Sequence, residues 1–172
     1  AQMPEGRLYE VDMRLRPSGR AGPVATSLHS FTTYQETEAW TWEHLALTRA
    51  RVLAGEPTLA GEVEAFRRGL LVGKGQGTKG RADVAEMRAR VQAAKPAQGA
   101  WDAKNGAGRI MDIELAAQTV ALIAGSPARS VERQIAAGAG RIVPESDAQT
   151  LISAYRLMWR LHAAARLLSD RA

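Results

Sequence analysis

The sequence predicts a mainly helical protein: a helical bundle preceded by one or two β-strands. Three observations carry that prediction. Strict two-residue alternation is confined to one short stretch near the N-terminus, residues 7–16. From Ser27 onward, apolar residues recur at helical spacing, in segments separated by glycine, proline and serine. Cysteine is absent from the 172 residues, so no disulfide framework or thiolate metal site organises the fold.

The strand comes first. In GRLYEVDMRLRPSGRAG, Tyr9, Val11, Met13 and Leu15 fall on one side, and Glu10, Asp12, Arg14 and Arg16 on the other. Pro17-Ser18-Gly19 ends it with turn chemistry. A lone strand leaves its backbone groups unpaired. Either residues 23–27 pair with it as a hairpin partner, or further strands precede it; the second is favoured, which makes the chain a piece of a longer polypeptide. An unpaired edge also invites self-association through residues 7–16.

The helices follow in order. Ser27 is placed to cap a helix carrying Phe31 and Tyr34. A second is expected over 38–53, with Trp40, Glu43, His44, Leu47 and Ala50 at helical spacing, broken by Gly55-Glu56-Pro57. A third is expected over 59–71. The stretch GKGQGTKG, residues 73–80, has two glycines at P-loop separation, Gly75 and Gly80. Arg81-Ala82 stand where Lys-Ser/Thr is required and no strand precedes, so a linker over 71–80 is expected. Residues 81–94 predict a helix with Val84, Met87 and Val91 inward. After a loop holding Trp101 and Lys104, an apolar helix is expected over 111–124, closed by Gly125-Ser126-Pro127. A short helix over 130–137 precedes a long one opened by Pro144, with Leu151, Tyr155, Met158, Trp159, His162 and Leu167 along its inner side.

The net charge is +5, and 19 of the 23 basic residues are arginine, which suits phosphate chemistry or reflects a compositional bias. The arginines occur singly and form no basic run, so a nucleic-acid partner is not expected. No apolar run reaches membrane-spanning length, so no membrane partner is expected either. The N-terminus has no signal-peptide core, and with cysteine absent the expected location is cytoplasmic.

Asp12 leads the candidates for chemistry. A carboxylate beside two guanidiniums suits a site that holds a divalent metal and phosphate oxygens together. Arg14 and Arg16 favour its ionised form and suit charge on a polyphosphate. An ordinary strand with one wet face and a cross-strand salt bridge has the same pattern. Asp112 and Glu114 form a D-x-E pair, but on a helix residues i and i+2 point about 200° apart and cannot chelate together. Asp112 is therefore expected to cap its helix, and Glu114 to be a buried or interface carboxylate paired with an arginine. His29, His44 and His162 lack ligand spacing and are expected to pack or face solvent. Trp40, Trp42, Trp101 and Trp159 are expected in the core. Arg49 and Arg51 suit phosphate and the C-terminal half of a helix equally.

The run LYEVDMRLRPSGRAGPVATSLHSFTTYQETEAWTWEHLALTRARV, Leu8 to Val52, resembles the glutamine synthetase adenylyltransferase family. Lys104 to Gln118, KNGAGRIMDIELAAQ, is similar to that family's G-G-x-x-D-I-E-F helix, and 155–168 to its closing helix. The AWTWEH run resembles the C-terminal, adenylylating half. The resemblance implies an α/β nucleotidyltransferase domain of the polymerase β type, of which the strands here are the remainder, over 1–70. A helical domain follows over 81–172. It implies transfer of AMP from ATP to a tyrosine hydroxyl of glutamine synthetase, with Mg²⁺ and ATP as cofactors and PII-type signal proteins as regulators. On this resemblance Asp12 matches the third metal-site carboxylate and also positions the hydroxyl, while Arg14 and Arg16 meet the polyphosphate. The family's G-S-x-x-D-x-D element has no match here, so the chain alone is expected to be inactive. The rival reading is a non-catalytic helical interaction module.

Overall fold

The computed structural model describes residues 16–75 and 79–168. The expected strand, with Asp12, Arg14 and the self-association surface, lies outside the described residues apart from Arg16. Two compact units divide the chain, 1–39 and 40–172. In the first, a 3-10 turn at Gly19–Ala21 leads to α1 (Leu28–Thr37). Ser27 caps α1 as its sequence predicts: its Oγ accepts the N–H of Ser30 at 3.1 Å. Residues 23–27 are irregular rather than a hairpin strand. Pro23 has no N–H to give a ladder, and Ser27 is committed to the cap. Among the described residues there is no strand, and the single β-type pairing is an isolated bridge from Ala139 to Val143.

The second unit is a bundle of α2 (Thr41–Leu47), α3 (Pro57–Gly75), α4 (Lys79–Ala94), α5 (Ile110–Ile123), α6 (Val131–Ala136) and α7 (Glu145–Leu168). The apolar α5 is its axis. One side packs Ile113 and Ala117 against Val131 and Ile135 of α6 and against Ala148, Leu151, Tyr155 and Met158 of α7. The other packs Leu122 and Leu115 against Leu45, Leu71, Val84 and Met87 of α2, α3 and α4. A helix buried on two sides needs an almost continuous apolar sequence, which IMDIELAAQTVALI supplies. The alanines at 117 and 121 are fully buried and let neighbours approach closely.

Residues 71–75, expected in a linker, are the last turn of α3, and Lys79 and Gly80 open α4; residues 76–78 are not described. The last turn of α3 is held by close packing. A Cβ on Gly75 would sit 1.8 Å from the carbonyl oxygen of Leu122, so only glycine permits this crossing. Gly125, at φ +61°, ends α5 as its sequence predicts.

The second helix departs furthest from its sequence, stopping at Leu47 rather than near 53. Long-range partners take the groups that would continue it. Arg67 Nη1 donates to the carbonyls of Leu47 and Thr48 at 3.1 and 3.3 Å, and Arg129 Nε to that of Ala50 at 2.7 Å. The fully buried Thr48 turns its hydroxyl back to Leu45 O and accepts Gln134 Nε2 at 3.1 Å. Glu64 ties the two arginines together: Arg67 donates to both its oxygens at 3.0 Å, and Arg68 and Arg129 also reach it. Hydrogen bonds from Arg67, opposed by burial and reinforced by Arg68 and Arg129, hold the Glu64 carboxyl down to about 2.

Candidate functional site

The polar face of the expected strand is represented among the described residues by Arg16. Its Nε donates to the carbonyl of Gly22 at 3.2 Å and closes the turn after Pro17. Ser18 adopts the left-handed region at φ 58°, which the PSG sequence tolerates through its small side chains. Arg16 is thus half-buried at this turn.

The D-x-E pair of α5 diverges, as helical geometry requires. Asp112 faces α4, where Arg88 grips it with two hydrogen bonds, Nε to Oδ1 at 3.1 Å and Nη2 to Oδ2 at 2.7 Å. Its Oδ2 also accepts the N–H of Gly108 at 2.8 Å. The expectation that Asp112 occupies the cap needs correction: Arg109 is the N-cap residue, and Asp112 reaches back from the first turn. Arg88 hydrogen bonding, against burial and with the Gly108 N–H in support, lowers the Asp112 carboxyl below its ordinary value. Glu114 points toward the end of α2 and pairs with Arg49 at 3.5 Å, the arginine partnership its sequence position predicts. Tyr155 OH donates to Glu114 at 3.5 Å and accepts Trp159 Nε1 at 2.7 Å. Burial first, then the Glu114 charge, push the Tyr155 phenol up, opposed by Trp159 and Arg49.

A cavity of about 210 Å³ lies beside this face, between α4 and α5, with Met87, Val91, Met111 and Leu115 in its wall and the Arg88–Asp112 pair at its edge. Both carboxylates here have guanidinium partners, so the arrangement orients helices and lacks a free base. Among the described residues no group of three histidines, aspartates or glutamates gathers as a metal site.

Sequence reasoning missed the loop that opens α5. Asp102 Oδ1 accepts the N–H groups of Lys104 and Asn105, and its Oδ2 accepts Gln98 N–H and Asn105 Nδ2, at 2.9–3.1 Å. Burial opposes this, yet the Asn105 and Gln98 N–H groups, the Asn105 amide and the Lys104 N–H bring the carboxyl down to about 2. Arg109 donates to the carbonyls of Gly99 and Asp102. Asp followed two and three residues on by backbone donors is the legible signal of such a turn.

The histidines behave as expected: His44 is buried, His29 is exposed, and His162 stands edge-on to Trp159. The tryptophans do not. Trp40 is 70% exposed, Trp101 88%, and Trp42 and Trp159 also face solvent, so none fills the core. Leu167, expected inward on α7, is likewise exposed. The core space goes instead to Leu, Ile and Ala, which let helices approach more closely than an indole does.

Residues 1–65 match the family model described as glutamate-ammonia ligase adenylyltransferase, and residues 80–172 the one described as GlnD PII-uridylyltransferase. Among curated relatives, the bifunctional glutamine synthetase adenylyltransferase/adenylyl-removing enzyme of Rhizobium meliloti (strain 1021) is 47% identical over 96% of this chain. That of Rhodopseudomonas palustris (strain BisB5) is 43% identical over 96%, and that of Agrobacterium fabrum 38% identical over 98%. The chain spans 18% of the length of each of these relatives.

Proposed function

Because the chain belongs to the glutamine synthetase adenylyltransferase family, we propose that it forms part of an enzyme moving AMP from ATP to a tyrosine hydroxyl of glutamine synthetase. In that reaction the phenolic oxygen attacks the α-phosphorus. The bond to the bridging oxygen breaks, pyrophosphate leaves, and the hydroxyl proton passes to a base. The observation that carries the reading is the run LYEVDMRLRPSG, which lies inside the stretch matched by the adenylyltransferase model.

Asp12 orients the incoming hydroxyl and is one carboxylate of a Mg²⁺ site, with Arg14 and Arg16 meeting polyphosphate charge. One carboxylate with water holds Mg²⁺ weakly, and the described residues gather no group of three metal-ligating side chains to add to it. Residues 1–70 belong to the nucleotidyltransferase part and 81–172 to the helical part; the boundaries of the two matching models, 65 and 80, support this division. Across this division, Arg129 of the helical part donates to the carbonyl of Ala50 just after α2. Among the described residues no helix is long and apolar enough to cross a membrane, and an ATP-using regulator of a biosynthetic enzyme belongs in the cytoplasm.

In an AMP-transfer assay with ATP, Mg²⁺ and glutamine synthetase, the purified 172-residue chain is expected to label no substrate; robust labelling would refute this assignment of roles. A second reading makes the helical part a docking module for a PII-type signal protein. It is favoured by the match of 80–172 to a model described for a different enzyme. Saturable binding of a PII-type protein to the whole chain supports it, and absence of binding removes it.

A further inference from the structure

Residues 40–42 and the facing turns of α4 wall a cavity of about 440 Å³ that the AMP-transfer reading does not use. Two indoles stand in its wall, Trp40 at 70% exposed and Trp42 at 41%. The backbone that carries them is tied down. Trp40 N–H donates to Glu43 Oε2 at 2.9 Å, and the hydroxyl of Thr41, between the two, donates to Asp83 Oδ2 at 2.5 Å. An indole fixed in solvent forgoes the burial it gains elsewhere, and its face carries the negative side of the ring quadrupole. Such a face attracts a cation.

The charge of the wall has the matching sign. Glu86 and Arg90 line it as an i,i+4 ion pair and cancel. Asp83 is half-buried, and among the described residues no basic side chain pairs with it. Thr41 occupies its Oδ2, so its Oδ1 is left without a protein donor among the described residues. Val84 and Met87 add apolar surface that packs on Leu45, Leu71 and Leu122 behind the cavity. Two π faces, one open carboxylate oxygen and an apolar lining therefore meet in one place.

We propose that this cavity takes the guanidinium of an arginine side chain carried by a partner polypeptide. The guanidinium lies against the Trp40 and Trp42 faces and donates to Asp83 Oδ1, while its methylene stem runs over Val84 and Met87. A guanidinium suits the site better than an ammonium because it is planar, stacks on aromatic faces and is more weakly hydrated. A polypeptide suits it better than free arginine because the cation of the wall, Arg90, is held by Glu86 and leaves nothing for an α-carboxylate. The inference does not rest on the AMP-transfer reading.

The test is titration of the isotope-labelled 172-residue chain with N-acetyl-arginine methylamide, read in the indole N–H resonances. Those of Trp40 and Trp42 are expected to shift saturably, with a Kd of about 1–10 mM, while those of Trp101 and Trp159 stay in place. Asp83→Asn, which keeps an oxygen for Thr41, weakens binding about fivefold or more. Trp40→Ala weakens it about fivefold or more, and Trp101→Ala leaves it within about twofold. The citrulline counterpart, neutral and of the same shape, gives no saturable shift. The lysine counterpart and free arginine each bind at least about threefold more weakly. Thermal melts check that each variant is folded; should Trp40→Ala melt early, Trp40→Phe keeps a weaker ring and an intermediate affinity. The proposal is overturned by no saturable shift of Trp40 and Trp42 up to about 50 mM, or by affinity unchanged in Asp83→Asn or in Trp40→Ala. It is equally overturned if free arginine, the lysine counterpart or the citrulline counterpart binds as tightly as the blocked arginine.

Discussion

Two sets of arginine–carboxylate contacts brace the helical unit, and they do different work. Around Glu64, Arg67 is only 3% exposed and spends its guanidinium on Glu64 and on three backbone carbonyls, Leu47, Thr48 and Pro127. Around Asp112 and Glu114, the partners Arg88 and Arg49 remain 39% and 46% exposed. The buried arginine replaces water for the carbonyls of Thr48, at the end of a stopped helix, and Pro127, so its loss strands several polar groups at once. The exposed pairs compete with solvent and set the orientation of helices more than their stability. Charge is structural where it is enclosed and adjustable where it lines a cavity.

That contrast can be broken by mutation. Arg67→Ala is expected to show the largest effect, about 3–4 kcal/mol of lost stability in denaturant unfolding, because it takes the buried donor from the Thr48 and Pro127 carbonyls and two hydrogen bonds from Glu64. A loss under about 1 kcal/mol would erase the distinction between the two clusters. Acid titration comes next. Glu64 and Asp102 ionise near 2 when folded, below their ordinary values of 4.5 and 3.8. The unfolded chain then binds protons that the folded chain does not. Their contribution is complete above about pH 5 and is lost as pH falls toward about 2. Glu64→Gln is expected to flatten the decline of melting temperature over that window; an unchanged slope would show that Glu64 does not carry it. The smallest effect belongs to the α2–α5 contact: a double-mutant cycle on Arg49 and Glu114 is expected to return a coupling of about 0.5 kcal/mol or less.

Local signals were readable where local physics decided the outcome. Ser27 and Ser130 mark the starts of α1 and α6, Gly125 the end of α5, and the apolar run from Ile110 its double burial. The end of α2 was not readable. Arg67, Arg129 and Gln134, distant in sequence, override a pattern that alone continues to residue 53. The exposed tryptophans show a similar limit: hydrophobicity says an indole prefers burial, while the helix spacing decides whether there is room. Glu114 found its arginine because an acid near the start of a buried helix needs a partner. Asp102 and Asn105 stood in a loop whose Asx-turn pattern was present but went unread.

The proposed role of Asp12 in AMP transfer is tested most directly by the longer family protein carrying Asp12→Asn. AMP transfer to glutamine synthetase is expected to fall by about a hundredfold or more while the melting temperature is unchanged. Transfer within a few-fold of the unmutated protein would contradict it.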